Sequence, residues 1–118
     1  MNKASTIKEV LIGAKSFLED VGWCQGTFFR DANGKPMLSD YVFSGVEKAA
    51  SACLMGAICV VDSGAKLDNN KYSFLAHCTM DKLNEDEEVS KCGLAWYNDH
   101  HTKEEVIALL DRTIAKLP

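Results

Sequence analysis

Three Ser/Thr-x-x-Glu tetrads, each followed by apolar residues at three- and four-residue spacing, constrain the fold of this chain most. In Thr6/Glu9, Ser44/Glu47 and Thr102/Glu105 the hydroxyl can accept from the backbone N–H three residues on. The carboxylate reaches back to the N–H of the capping residue, so two otherwise orphaned donors are satisfied and a helix starts there. After Thr6 the buried stripe is Ile7, Val10, Leu11, Ala14, Phe17, Leu18 and Val21, with Gly22 suited to a left-handed helix end. After Thr102 it is Val106, Leu109, Leu110, Ile114 and Leu117.

The tetrad at Ser44 predicts a second helix carrying Val46, Ala49, Ala50, Cys53, Leu54, Ala57 and Val61. Its small residues, Ser51-Ala52 and Gly56-Ala57, would let neighbours approach closely, which marks it as the central helix. Between the first two helices the helical period is lost. Thr27 to Arg30 has strand-forming types and Asn33-Gly34 is a turn signal, which predicts a short hairpin or extended arm returning through Met37 and Leu38. The adjacent Phe28 and Phe29 would point to opposite faces of such a strand, one toward the core and one toward an interface. The polar stretch from Asp62 to Asn70 reads as a loop, and Lys71 to Leu83 as a less regular helix with Asn70 as its cap. The acidic run Glu85, Asp86, Glu87 and Glu88 reads as a solvated loop or the start of a short helical turn reaching Cys92-Gly93, with a basic partner as the sharper alternative. The fold expected is mainly α: one compact domain over residues 1–118, with four to five helices and the small β-arm after the first.

A chain of 118 residues can bury one core without staples. Its 13 Lys and Arg are scattered and its net charge is −4, which disfavours nucleic acid, whose recognition needs a basic stripe. The apolar stretch from Ala52 to Val61 is half of the roughly 20 residues needed to cross a bilayer. The five cysteines are odd in number, have no C-x-x-C spacing and lie among apolar residues, as free thiols in a reducing compartment do. With Met1 to Thr6 leading straight into a helix, a cytoplasmic protein without membrane contact is expected.

The candidate site lies at the only two tryptophans. Trp23-Cys24-Gln25-Gly26 follows the first helix, and Trp96-Tyr97-Asn98-Asp99 precedes the last. Capping logic alone places Asn98 and Asp99 at a helix entry, with Trp96 packed on the first helix. The functional reading makes Trp23, Gln25, Arg30, Trp96, Tyr97, Asn98 and Asp99 an aromatic wall with a polar rim for a partner or ligand.

The motif order Gly-Trp-x-Gln-Gly, Asn-Gly, Cys53-Leu54-x-Gly56-Ala57, Trp-x-Asn-Asp and a final Val-Ile-x-Leu-Leu helix resembles an uncharacterised family of small bacterial and phage proteins. That family commonly reads Trp-Asn-Asp, so Tyr97 looks like an insertion, and the segment from Ser63 to Cys92 departs from its pattern. The resemblance implies a shared fold, supplies no activity, and suggests a phage or mobile-element accessory role in counter-defence or host modulation.

Other constellations point less far. Cys53 with His100 or His101 as base and Asn98 as orienter has the inventory of a thiol hydrolase, but the predicted helix puts Cys53 mid-helix, where nothing favours a thiolate. His77 and Asp81 share a helix face, and Cys78 or Cys92 would have to join them to close a metal site; none is expected. No phosphate-binding loop or nucleotide fingerprint occurs and no cofactor is expected, although Trp, Tyr and Arg side chains are compatible with holding a nucleotide-like ligand. The reading is a non-catalytic interaction module for a protein partner, and a homodimer is compatible with it.

Overall fold

The computed structural model describes residues 6–37, 49–63 and 74–118. Helix α1 (Ile7–Asp20) begins where Thr6 Oγ1 accepts from Glu9 N at 3.1 Å, and it buries Val10, Leu11, Ala14 and Leu18. Val21, expected in that stripe, stays exposed beyond the helix end. Helix α2 (Leu54–Ser63) crosses α1 closely: a Cβ on Gly13 would lie 2.5 Å from Val61 Cγ1. The last helix, here α6 (Lys103–Ala115), has the complete capping box of Thr102 and Glu105 and buries Val106, Leu109 and Leu110. Thr113 joins them by returning its hydroxyl proton to the Leu109 carbonyl at 2.8 Å, while Ile114 is only half-buried.

The arm forms as predicted up to its partner. Asp31 Oδ1 accepts from Asn33 N and Lys35 N, and Gly34 N returns to Asp31 O, a side-chain-supported turn at the Asn-Gly pair. Met37 N then donates to Phe29 O. Leu38, the end of the predicted return, lies outside the described residues. Strand β1 (Phe29–Arg30) buries Phe29 and leaves Phe28 half-buried on the other face.

Its antiparallel partner is β2 (Ser51–Ala52), a segment that the sequence assigns to the second helix. Ser44, Val46 and Glu47 lie outside the described residues, but Ala49 and Ala50 are not helical and the helix starts only at Leu54. The reason is two-sided backbone pairing. Ala50 N donates to Arg30 O and Cys53 N to Phe28 O on one side. On the other side Ala52 N donates to Gly22 O and Cys24 N to Ala52 O. Local helix preference is worth tenths of a kilocalorie per residue, and these long-range bonds outweigh it. The small side chains therefore make room for chain on both flanks rather than for a neighbouring helix. Gly22 is needed for the same reason: its φ is +154°, and a Cβ there would lie 2.6 Å from the Ala50 carbonyl oxygen.

Asp62, expected to open a loop, belongs to α2 and is 1% exposed. Residues 64–73, including the rest of that loop and the Asn70 cap, lie outside the described residues. Helix α3 (Phe74–Asn84) follows, then the single turn α4 (Glu87–Ser90) and α5 (Leu94–His100). The acidic run thus starts a helix: Asp86 caps α4 through Glu88 N and Val89 N. Asp86 is also buried and takes a bidentate pair from Arg112, with Nε to Oδ2 at 2.6 Å and Nη2 to Oδ1 at 3.0 Å. One of the four carboxylates is therefore structural, and no basic partner is required to explain it.

Helix α5 is the larger departure. Trp96 to Asp99 is not a loop before the last helix but lies within a separate two-turn helix, opened at Gly93 with φ +91° and closed by the extended His101. Asp99 therefore sits in the last turn of α5 and does not cap α6. Among the described residues the fold is mainly helical, six helices with a two-stranded arm, and no helix there is long and apolar enough to cross a membrane.

The Arg112 guanidinium holds the Asp86 carboxyl at about 2, below its ordinary 3.8. A depressed carboxyl contributes stability that is complete above its unfolded value and fades as pH falls through the folded one. Asp86→Ala or Arg112→Ala is expected to cost about 2 kcal/mol in urea unfolding at pH 7. The difference from wild type should shrink as pH falls from about 5 to 2.

Candidate functional site

The two tryptophan segments meet at one buried amide. Asn98 Oδ1 accepts from Trp23 Nε1 at 2.8 Å and from Leu54 N, the first residue of α2, at 3.0 Å. Its Nδ2 donates to Cys24 O and to Asp99 Oδ1, both at 3.1 Å. Both lone pairs and both protons of the amide are engaged, and the side chain is 2% exposed.

Gln25 and Asp99 extend the seam. Gln25 Nε2 donates to Asn98 O at 3.1 Å and His101 O at 2.9 Å, satisfying carbonyls freed at the end of α5. Asp99 Oδ1 accepts from Gly26 N at 2.9 Å. Arg30 donates to Gln25 O and Gly34 O, bracing the loop from beneath rather than presenting a free cation. Trp23, Gln25, Arg30, Asn98 and Asp99 are thus brought together, chiefly by bonds to each other. The remaining two predicted residues point elsewhere. Tyr97 is buried, stacked on His101 at 3.8 Å, with its hydroxyl 3.5 Å from Arg112 Nη2. Trp96 is 50% exposed and stacks on His100 at 3.9 Å.

Beside the seam an open pocket of about 310 Å³ lies between the loop Gly26 to Phe28 and one face of α5. Its walls are Gly26, Thr27 and Phe28, then Cys53 and Met55 at the start of α2, then Ala95, Asn98 and Asp99. The loop lies tight on α2, since a Cβ on Gly56 would stand 2.6 Å from the Phe28 carbonyl oxygen. Asn98 contributes a wall whose polar atoms are already used, so the pocket is mainly apolar with the Asp99 carboxylate as its charge. Thr27, Met55 and Ala95 escape sequence reasoning, while Cys53 and Phe28, weighed there for thiol chemistry and for an interface, join this pocket because Cys53 precedes α2 rather than lying within a helix.

That correction bears on the thiol. Cys53 precedes the first turn of α2, where its Sγ accepts from Gly56 N at 3.3 Å. Helix starts favour thiolates, but burial dominates and pushes this thiol up to about 11. No histidine lines the pocket. Each candidate base is turned to its own helix: His100 Nδ1 lies 3.0 Å from Trp96 O and His101 Nδ1 2.9 Å from Tyr97 O. Since a carbonyl only accepts, both Nδ1 atoms carry protons. The Cys53, histidine and Asn98 inventory is therefore not assembled as a nucleophile, base and orienter. Among the described residues no group of three or more His, Cys, Asp or Glu side chains is placed to hold a metal.

A family model described as a family of unknown function, DUF6197, matches residues 2–116, and the chain belongs to that family. No curated protein and no solved structure matches it.

Two measurements follow from the seam. Asn98→Ala strands the buried Leu54 N–H and should cost about 3 kcal/mol in urea unfolding, against about 1 kcal/mol for the half-buried Gln25→Ala. Cys53 in the folded chain should alkylate very slowly at pH 7, with a rate rising about tenfold per pH unit up to pH 10, read by peptide mapping. Fast reaction at pH 7 would mean that the helix start outweighs burial.

Proposed function

We propose that this member of DUF6197 is a non-catalytic interaction module that captures a protein partner through the pocket and the Trp96 edge of α5. The supporting observation is the juxtaposition of a preformed, mainly apolar pocket with a half-exposed tryptophan one helical row away. Tryptophan carries a large contact area at little entropic cost and is enriched among residues that dominate binding. An apolar side chain of the partner fills the space between Phe28, Met55 and Ala95, and a neighbouring cationic or N–H donor group meets Asp99. A nucleotide-like ligand fits less well, because Arg30 is occupied by backbone carbonyls and no cation lines the pocket.

The resemblance to small bacterial and phage proteins gives this reading its setting: a cytoplasmic accessory factor of a phage or mobile element, acting in counter-defence or host modulation. The partner is a host protein, and a second copy of the chain is the alternative.

The test removes an exposed ring and one charge while leaving the hydrogen bonds of the seam in place. Trp96→Ala removes an exposed ring, and Asp99→Asn keeps the acceptor for Gly26 N while removing the charge. Each should weaken capture of the partner identified by affinity purification from the native host by about tenfold or more. Melting temperatures should stay within about 3 °C of wild type. Unchanged capture by both variants removes the proposal.

A further inference from the structure

The backbone register brings two cysteines to adjacent positions along the same seam. Ala52 N donates to Gly22 O at 3.1 Å and Cys24 N donates to Ala52 O at 2.9 Å, so Trp23 pairs with Ala52 in parallel. One step along, Cys24 and Cys53 are the next neighbours of the two segments. Side chains of neighbouring positions on adjacent strands share a face, and the chains run about 4.8 Å apart. Disulfides span Cα separations of roughly 4.4–6.8 Å, a range that positions on adjacent paired segments meet. Both cysteines are free and buried; Cys53 forms part of the pocket wall and the Cys24 thiol bonds the carbonyl of Thr27, another wall residue, so the pocket is the path of a small oxidant to the pair.

We propose that Cys24 and Cys53 are a disulfide-forming pair, oxidised by hydrogen peroxide, that locks the chain after α1 to the start of α2 and remodels the pocket wall between them.

Cys24 is the attacking thiol. Its sulfur lies beside the Arg30 guanidinium and the Ser51 hydroxyl, both of which favour the thiolate, although burial pushes this thiol up overall. Its thiolate attacks one peroxide oxygen, so that an S–O bond forms, the O–O bond breaks, and the departing hydroxide becomes water on taking a proton. The Cys53 sulfur then attacks the sulfenic sulfur. The S–S bond forms, the S–O bond breaks, and the hydroxyl leaves as water with the Cys53 proton. Two thiols lose two protons and two electrons, and one peroxide is reduced to two waters. Before the reaction Cys24 Sγ–H donates to Thr27 O at 3.7 Å and Cys53 Sγ accepts from Gly56 N. Both contacts involve pocket-wall residues; joining the sulfurs removes the first, since a disulfide has no S–H to donate, and re-aims the Cys53 sulfur that accepts the second.

The remaining thiols are placed differently. Cys59 lies more than a turn further along α2, where burial pushes it up to about 12, and Cys92 Sγ bonds the carbonyls of Glu88 and Gly93. The pair rests on strand register, so it stands or falls independently of partner capture at Trp96 and Asp99.

The experiment treats the folded wild-type chain with hydrogen peroxide, blocks residual thiols under denaturing conditions and maps peptides without reduction. The expected product is an intramolecular link between the Cys24 and Cys53 peptides, with loss of two hydrogens per chain that dithiothreitol reverses. Cys24→Ser and Cys53→Ser should each abolish that mass loss. A link of Cys53 to Cys59, a link between chains, sulfinic acid at Cys24 or Cys53 without a linked peptide, or no oxidation overturns the proposal. Should a serine variant fail to fold, the wild-type map alone decides.

Discussion

The fold turns on the side-chain amide of Asn98. Its carbonyl accepts from the Trp23 indole and from the first backbone N–H of α2, and its amino group donates to Cys24 O and Asp99 Oδ1. No other side chain of that size offers two acceptor positions and two donors in one plane. Aspartate lacks the donors, and leucine would leave a helix start, an indole N–H and a carbonyl buried without partners. Because those groups come from three separate stretches of chain, their positions depend on one another. The wall of the pocket is a by-product of that dependence.

A second constraint works beside it. The segment from Ala50 to Cys53 is paired on both edges, by Phe28 and Arg30 on one side and by Gly22 and Cys24 on the other. Glycines appear where backbone must come within van der Waals distance of backbone: Gly22 against the Ala50 carbonyl and Gly56 against the Phe28 carbonyl. The loop Gly26 to Phe28 is thus held down at both ends, on β2 and on α2, while Asp99 takes the Gly26 N–H between them. Three elements fix the pocket and none of them can shift alone.

How far the sequence carries depends on the range of the deciding interaction. The starts of α1 and α6 are legible because a hydroxyl and a carboxylate three residues apart settle them locally, and Asp31 to Gly34 is legible for the same reason. The strand at Ser51–Ala52 is not, since small helix-forming residues become a strand only through partners 20 or more positions away. Nor is α5: Asn98-Asp99-His100-His101 has turn-forming types, yet Asn98 and Asp99 find their partners in the residues after α1. The convergence of Trp23, Gln25, Arg30, Asn98 and Asp99 can be read from residue types, but their individual roles cannot. Trp23, Gln25, Arg30 and Asn98 hold the seam, while Cys53, Met55 and Ala95 enter the site only once the fold is known.

The division of labour within the seam limits what the pocket can recognise. Asn98, Gln25 and Gly26 N already have partners, so an incoming polar group would have to displace a formed hydrogen bond to gain one. On the proposed reading, selectivity comes from shape between Phe28, Met55 and Ala95 and from the single charge of Asp99. A preformed wall loses little conformational entropy when a partner arrives, so even a small contact here can be useful. The same rigidity makes the pocket sensitive to any covalent change along the seam. Joining Cys24 to Cys53 would act on Thr27 and Gly56, the two points where the loop and α2 are pinned. Chemistry at buried sulfurs would thus reach the pocket through two contacts, without unfolding a helix.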